Sequence, residues 1–476
     1  MTLFSLNIEK IYEENKKIEN SKENIYKYGE IYTPFSLIRE MFKMFDVSEF
    51  RKKHKKWLDT GAGIGNFSIY LYSLLNDGLS EIIRNKEERH NHIIKNMIYM
   101  VEIKENNVKR LREIFGKDAN IYCMDYNEYE NTETKYDYII GNPPYNSNGV
   151  KKVPTNKELN KKMDGKTIWV HFIYKSLSIL VSKGKLLYII PSIWMKPDKA
   201  GVYNLLVREN KIEKICTLTN TENNKLFDGK AQTPTCYFLL SKENNENNTK
   251  ELSIYSKHKM TYINYELDIG KPIPVYGSYI INKINQFVNK YGCLNPNKTN
   301  LPGKDTLISL NKDDQHPFEN IKTCLITERN KPKLVIEYTN KKQSYYGIPK
   351  LILAHKMYGF PYLDELGEYG ISNRDNYVIY KDKNDKIYSL EELKNIQEFL
   401  STKFILYVYE STRYRMKYLE KYAFEFIPDI TKMIDIIGNN KINDDLIVKI
   451  FGLDEEDKRE INSLHKKDYE WFISNN

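Results

Sequence analysis

Four consecutive residues, Asn142-Pro143-Pro144-Tyr145, set two hydrogen-bond acceptors beside an aromatic face. Asn142 offers an amide oxygen, and the Pro143 carbonyl has no helix or ladder partner in prospect. Pro143 and Pro144 lock φ and remove two backbone donors, so the loop is stiff. Two acceptors and a ring suit a planar group that carries an NH2, such as adenine or a carboxamide. The same residues could form a rigid turn without chemistry. The preceding run, 136–140, is largely apolar and reads as a buried strand, and Gly141 permits a sharp turn after it. The loop therefore sits at a strand's carboxyl end, where open α/β sheets bind their ligands.

Three other predicted strands also end in polar groups. The strand at 55–59 ends in Asp59 and runs into Thr60-Gly61-Ala62-Gly63-Ile64-Gly65-Asn66-Phe67, with a helix expected over 67–75. Strand, glycine-rich turn and helix make a nucleotide-type loop. It lacks the Lys-Ser/Thr ending of a P-loop. Strand 97–103 carries Glu102 near its end, where a carboxylate commonly takes ribose hydroxyls, and strand 120–124 has Asp125 at its tip. Each acid alone could be a solvated strand end; the convergence of Asp59, Glu102, Asp125 and Asn142 is more specific. Upstream, Tyr28-Gly29-Glu30-Ile31-Tyr32-Thr33-Pro34 precedes an amphipathic helix expected over 35–45, with Thr33 as its cap and Pro34 in its first turn.

The elements that would hold these groups continue with a helix at 169–181 and strands at 184–192, 212–218 and 233–240. About seven strands with interleaved helices predict a doubly wound, mostly parallel α/β domain. Polar stretches at 76–95 and 151–166 read as an insertion and a loop, and 241–251 as a linker. Residues 1–250 form the predicted catalytic domain and 251–476 a mixed α+β region. That region has β-like runs at 334–337, 350–355 and 377–380 and helices at 390–400, 403–409 and 414–422. The chain of 476 residues has a net charge of +9, which suits a polyanionic partner. Five scattered cysteines predict neither a disulfide framework nor a zinc site, and fit a reducing, cytosol-like compartment. No apolar run reaches the ~18 residues of a membrane span, and 1–20 is unlike a secretory signal.

The order of these features resembles the adenine-N6-specific DNA methyltransferases, most closely the gamma-type, Eco57I-like methylases of restriction–modification systems. That order is Thr33-Pro34, the loop from Asp59 to Phe67, Glu102, Asp125, Asn142 to Tyr145, and then a recognition region. The resemblance implies S-adenosyl-L-methionine as methyl donor and a seven-stranded methyltransferase domain followed by a target-recognition domain. It implies that Asp59, Gly61, Gly63, Gly65 and Thr33 hold the donor's methionine end, Glu102 its ribose and Asp125 its adenine amine, with Asn142 completing the donor site. Asn142, Pro143, Pro144 and Tyr145 would act on the target base, stacked between Tyr145 and Phe227. One departure is the stretch before Glu102, which puts it about twice the usual ~20 residues from the glycine loop.

The implied partner is double-stranded DNA, with any cognate endonuclease on a separate chain. The implied chemistry needs no metal, and the protein is expected to be cytoplasmic and not membrane-bound. Two rivals share the catalytic motif: an RNA adenine methyltransferase and an enzyme that methylates a protein glutamine. The long region after 241 disfavours the glutamine reading. A third rival, a nucleic-acid-binding module without activity, is disfavoured because every expected site residue is present. A fused nuclease is not expected, because no metal-binding Pro-Asp…Glu-x-Lys pattern is found and only 1–27 precedes the Thr-Pro segment.

Overall fold

Strand β1 (Trp57–Asp59) is buried at every position, as a strand with both faces covered must be. It pairs in parallel with β2 (Ile98–Glu102) on one side and β4 (Tyr136–Gly141) on the other. Beyond β2 lies β3 (Asn120–Cys123). Beyond β4 lie β5 (Leu180–Pro191), β7 (Thr235–Ser241), β6 (Lys211–Leu218) and β8 (Glu251–Ser256). Only β7 among them runs antiparallel to its neighbours in this set, β5 and β6. The computed structural model describes residues 8–18, 22–130, 134–147, 166–197, 201–231, 233–243, 251–325, 333–355, 360–414 and 419–463. It divides into two compact units, 1–255 and 256–476.

The doubly wound, mostly parallel sheet is the expected one. The order of the strands reverses between β4 and β1, the place where open α/β sheets bind their ligands. Helices α1 (Ile8–Lys16), α2 (Lys22–Tyr28), α3 (Phe35–Phe42), α4 (Asn66–Gly78), α5 (Lys86–His92), α6 (Glu105–Phe115), α7 (Trp169–Ile179), α8 (Val202–Val207) and α9 (Asn220–Leu226) complete the first unit. α3 buries Phe35, Leu37, Ile38, Met41 and Phe42, the spacing of one helical face.

The differences from expectation are local. Thr33 does not cap α3: Pro34 holds the cap position with no side-chain hydrogen bond, and the Thr33 hydroxyl is used elsewhere. The polar stretch 76–95 contains α5, capped by Asn85 and burying Arg89 and His90. The helix expected to reach 181 stops at Ile179, because pairing with β4 already begins at Leu180. β8 is not anticipated: only its first residue, Glu251, falls in the expected linker, and the strand pairs in parallel with β6. Residues 151–165 and 244–250 of the two predicted polar connections lie outside the described residues.

The second unit contains two four-stranded sheets. Lys350–Ala354, buried throughout, pairs with Asn376–Ile379 and Tyr362–Asp364. Phe318–Leu325 and Lys333–Thr339 form a long antiparallel pair. Helices Leu390–Leu400 and Lys403–Ser411 match the sequence reading; that expected over 414–422 is not formed as such, for Lys421–Phe426 is a 3-10 turn and 415–418 lie outside the described residues. Among the described residues no helix is long and apolar enough to cross a membrane.

The glycine turn after β1 yields a stability test. Gly65 has φ +93°, and a Cβ there would lie 2.8 Å from Leu111 Cδ2. Gly65→Ala is expected to lower stability by about 1–3 kcal/mol in urea unfolding, the range for a strained left-handed residue. A Cβ on Gly61 meets nothing within 4 Å. Gly61→Ala should therefore leave stability unchanged.

Candidate active site

The end of β1 supplies a carboxylate and the start of α4 its partner. Asp59 is 1% exposed, and its Oδ2 accepts the Ser68 hydroxyl at 2.8 Å. Its Oδ1 is buried and makes no hydrogen bond. Burial pushes the Asp59 carboxyl up from 3.8 to about 7, while the Ser68 hydroxyl and the neighbouring backbone of Gly61 pull the other way. The Gly141 backbone closes over this group, with its missing Cβ only 3.6 Å from Asp59 Oδ1 and 3.2 Å from Thr60 Oγ1. Thr60 opens a buried chain of hydroxyls: Thr60 Oγ1 to Tyr188 OH at 2.7 Å, Tyr188 OH to Ser176 Oγ at 2.7 Å, and Ser176 Oγ to Tyr126 OH at 2.9 Å. Burial raises the Tyr188 and Tyr126 phenols, which keeps the chain neutral.

Glu102, at the end of β2, is held quite differently. Its Oε2 accepts the Gly63 N–H at 2.8 Å, and its Oε1 accepts the Lys104 N–H at 2.8 Å and Asn107 Nδ2 at 3.3 Å. Burial raises its carboxyl, the Lys104 and Gly63 amides lower it, and the charge of Glu30 adds to the rise. The glycine loop and the second strand's acid are thus one bonded unit. Asp125 is partly buried and caps a short 3-10 turn, its Oδ1 accepting the Asn127 N–H at 2.8 Å.

The loop after β4 meets the segment before α3. Asn142 Nδ2 donates to Thr33 Oγ1 at 3.1 Å, which leaves Asn142 Oδ1, buried and without a partner. The Thr33 carbonyl in turn accepts Asn66 Nδ2 at 3.0 Å, so Thr33 joins the loop after β4 to the start of α4. No hydrogen bond to the Pro143 carbonyl is formed among the described residues. Pro144 packs near Gly29: a Cβ on Gly29 would meet Pro144 Cβ at 3.3 Å and the Asn146 carbonyl at 2.3 Å. The Tyr145 hydroxyl reaches the Ile189 carbonyl at 3.4 Å, and burial raises its phenol. Phe227 closes α9 and is only 4% exposed, so its ring is packed in.

Asp59, Glu102, the glycine turn, Thr33 and Asn142 are therefore tied together by hydrogen bonds or backbone contact. Sequence reasoning missed Ser68, Asn66, Asn107 and Tyr188, which orient them. Ser68 and Asn66 lie in the turn and first helical residues after the glycines, where short polar side chains are a readable signal. Nothing near Tyr188 marks it, since it sits in an apolar strand. Among the described residues no group of three or more His, Cys, Asp or Glu side chains could hold a metal ion.

Two buried acceptors without partners, Asp59 Oδ1 and Asn142 Oδ1, stand at or just beyond the ends of the adjacent strands β1 and β4. Residues 6–227, which contain both, match the profile of the Eco57I restriction-modification methylases. This part of the chain is similar to that family. Over 248 residues the chain is 29% identical to the type II methyltransferase M.AccI of Acinetobacter calcoaceticus, a match over 50% of this chain and 40% of that protein. It is 32% identical over 138 residues to the type II restriction enzyme and methyltransferase RM.Eco57I of Escherichia coli, over 28% of this chain and 13% of that one. The chain thus matches less than half the length of either relative. The type IIL restriction-modification enzyme MmeI, solved in complex with DNA, superposes over 94% of this chain and 80% of its own, with a TM-score of 0.48 and 13% identity.

The buried Asp59 carboxyl carries a pH signature. Asp59 binds a proton more tightly folded than unfolded, so its contribution to stability is present below 3.8 and is lost as pH rises through about 7. Ligand-free protein should therefore lose stability between about pH 4 and 7, and Asp59→Asn should flatten that slope. Urea unfolding of both proteins across this range checks it; parallel slopes would show that Asp59 ionises freely.

Proposed function

We propose that the protein is a site-specific DNA methyltransferase that methylates N6 of an adenine turned out of the duplex, as the modification component of a restriction–modification system. The observation that carries this reading is the pair of buried, partnerless acceptors at the ends of adjacent strands, Asp59 Oδ1 and Asn142 Oδ1. S-adenosylmethionine supplies an electrophilic methyl group on a sulfonium and bears an ammonium, a ribose diol and an adenine. The residues present fit it. Asp59 offers an anionic acceptor to the ammonium. Gly61 leaves open space beside the backbone, and Glu102 presents a carboxylate for ribose hydroxyls. Asp125 would take the adenine amine.

The target side follows from Asn142. The lone pair of an adenine amine is delocalised into the ring, which makes it a poor nucleophile. Accepting its two N–H groups at Asn142 Oδ1 and the Pro143 carbonyl favours a tetrahedral nitrogen and stabilises the charge that grows there. Thr33 holds the amide nitrogen of Asn142 and so leaves the oxygen for the base. Tyr145 would stack on one face of the base, and Phe227, packed in as the chain stands, would have to turn out to cover the other. A paired base cannot reach such a site, so it must be extruded.

The second unit, taken with 251–255, would read the DNA sequence. Lys342 Nζ lies 4.9 Å from the Tyr346 ring centroid and 6.0 Å from that of Phe318, a pairing of cation and aromatic that suits a nucleic-acid surface. This supports DNA as partner alongside the net charge of +9.

Asn142→Ala should abolish methyl transfer with S-adenosylmethionine affinity nearly unchanged. Thr33→Val should lower kcat by about tenfold, a ~1.4 kcal/mol effect, and Thr33→Ser should restore it. Tritium transfer to duplex DNA with calorimetry decides; retention of more than about a tenth of the rate by Asn142→Ala overturns the assignment. Transfer to structured RNA or to a glutamine peptide in place of DNA overturns the substrate.

The flipped base can be seen directly. With 2-aminopurine at the target position, the protein should raise its fluorescence on duplex DNA. Each stacking contact returns roughly 1–3 kcal/mol against an extrusion cost of a few kcal/mol. Tyr145→Ala and Phe227→Ala should therefore slow methylation and change that fluorescence. If only Tyr145→Ala does so, a ring other than Phe227 covers the second face.

A further inference from the structure

Glu30 belongs to none of the site residues named so far, yet it is bonded to the surroundings of one. Lys104 Nζ pairs with Glu30 Oε2 at 2.7 Å, the two side chains being only 14% and 10% exposed. Asn107 Nδ2 donates to Glu30 Oε1 at 2.7 Å and, at a longer 3.3 Å, to Glu102 Oε1. The Lys104 backbone N–H donates to that same Glu102 oxygen. Lys104 and Asn107 therefore stand between two carboxylates and give their stronger side-chain contacts to Glu30. Tyr32 reinforces the segment: its hydroxyl lies 3.5 Å from Asn107 Oδ1, and its ring would be 3.4 Å from a Cβ on Gly63.

A mostly buried ammonium requires a counter-charge. Without Glu30, the Asn107 amide, which already reaches Glu102 Oε1, would turn to it, and the Lys104 ammonium, left without its counter-charge, would be drawn to the same carboxylate, which its own backbone N–H already bonds. They would then compete with any hydroxyl for its lone pairs. We propose that Glu30 is a positioning residue for donor binding: it draws Lys104 and Asn107 off Glu102 and keeps that carboxylate open to the ribose diol of the methyl donor. The proposal rests on the assignment of Glu102 to S-adenosylmethionine.

Calorimetry with S-adenosylhomocysteine, and with its analogue lacking one ribose hydroxyl, tests it on the full chain. Glu30→Gln should raise the Kd for S-adenosylhomocysteine by about tenfold, the order of one charge-assisted hydrogen bond. It should raise the Kd for the deoxy analogue less, so discrimination between the two falls. Lys104→Met alone should bind as the wild type does, and Glu30→Gln combined with Lys104→Met should recover most of the loss. A structural brace would predict the opposite, with the double variant weaker still and both ligands affected alike. Unchanged binding by Glu30→Gln, or no recovery in the double variant, overturns the proposal. Should Glu30→Gln fail to fold, Lys104→Met still decides, because a tenfold loss there would show that the ammonium itself serves the donor. Wild-type protein that binds neither ligand overturns the donor assignment together with this role; wild-type binding with an unaffected Glu30→Gln overturns this role alone.

Discussion

Burying an oxygen without a donor is the constraint around which the first unit is arranged. Each such group costs about 1–3 kcal/mol relative to a satisfied one. Asp59 Oδ1 and Asn142 Oδ1 both carry that cost. They stay in place because their other atoms are held: Asp59 Oδ2 by Ser68, and Asn142 Nδ2 by Thr33. Their backbones lie in paired strands or stiff turns, and a Cβ on Gly141 would crowd Thr60 Oγ1 at 3.2 Å. The neighbouring hydroxyl chain from Thr60 to Tyr126 is satisfied at each link, so it adds no unpaired group beside these two atoms.

Much of this was legible in the sequence because it lies along the chain. A run of apolar residues followed by a glycine and a polar group identifies a strand end without any knowledge of its neighbours, and β1, β2 and β4 were found that way. The pairings were not legible. Thr33 looks like a helix cap locally, and its bond to Asn142 spans 109 residues. Tyr188 looks like one more apolar strand residue, and its bond to Thr60 spans 128. Such contacts depend on strand order, which a single sequence does not reveal. β8 was lost for another reason: it follows a low-complexity polar stretch whose composition masked the β pattern that resumes at Leu252.

The second unit was read less well because its segments are short and their partners distant. Asn376–Ile379 pairs with Asn297–Lys298, two residues that no pattern marks as a strand. Its sheet also buries an ion pair, Lys350 with Asp364, exposed by 0% and 2%. A lysine at the head of an apolar strand reads as its solvated end. Here Asp364 accepts the Lys350 ammonium at 2.5 Å and the Glu368 and Tyr369 N–H groups at 3.0 and 3.1 Å, so the buried charge is fully partnered.

The two carboxylates of the donor site differ in a way that divides their work on the proposed reading. Glu102 already accepts three hydrogen bonds, so a ribose diol takes the lone pair left free and exchanges for the long Asn107 contact, and the net gain per contact is small. What such an exchange delivers is selectivity, since a ligand without the hydroxyls leaves a buried carboxylate worse served than before. Asp59 Oδ1 has nothing to exchange, so an ammonium arriving there removes a penalty already present. The same ammonium lowers the pKa that burial has raised and restores the charged carboxylate. Affinity therefore comes mainly from the methionine end of the donor and discrimination from the ribose end. The Gly63 N–H bonded to Glu102 joins the two ends, because it belongs to the turn that begins at Asp59.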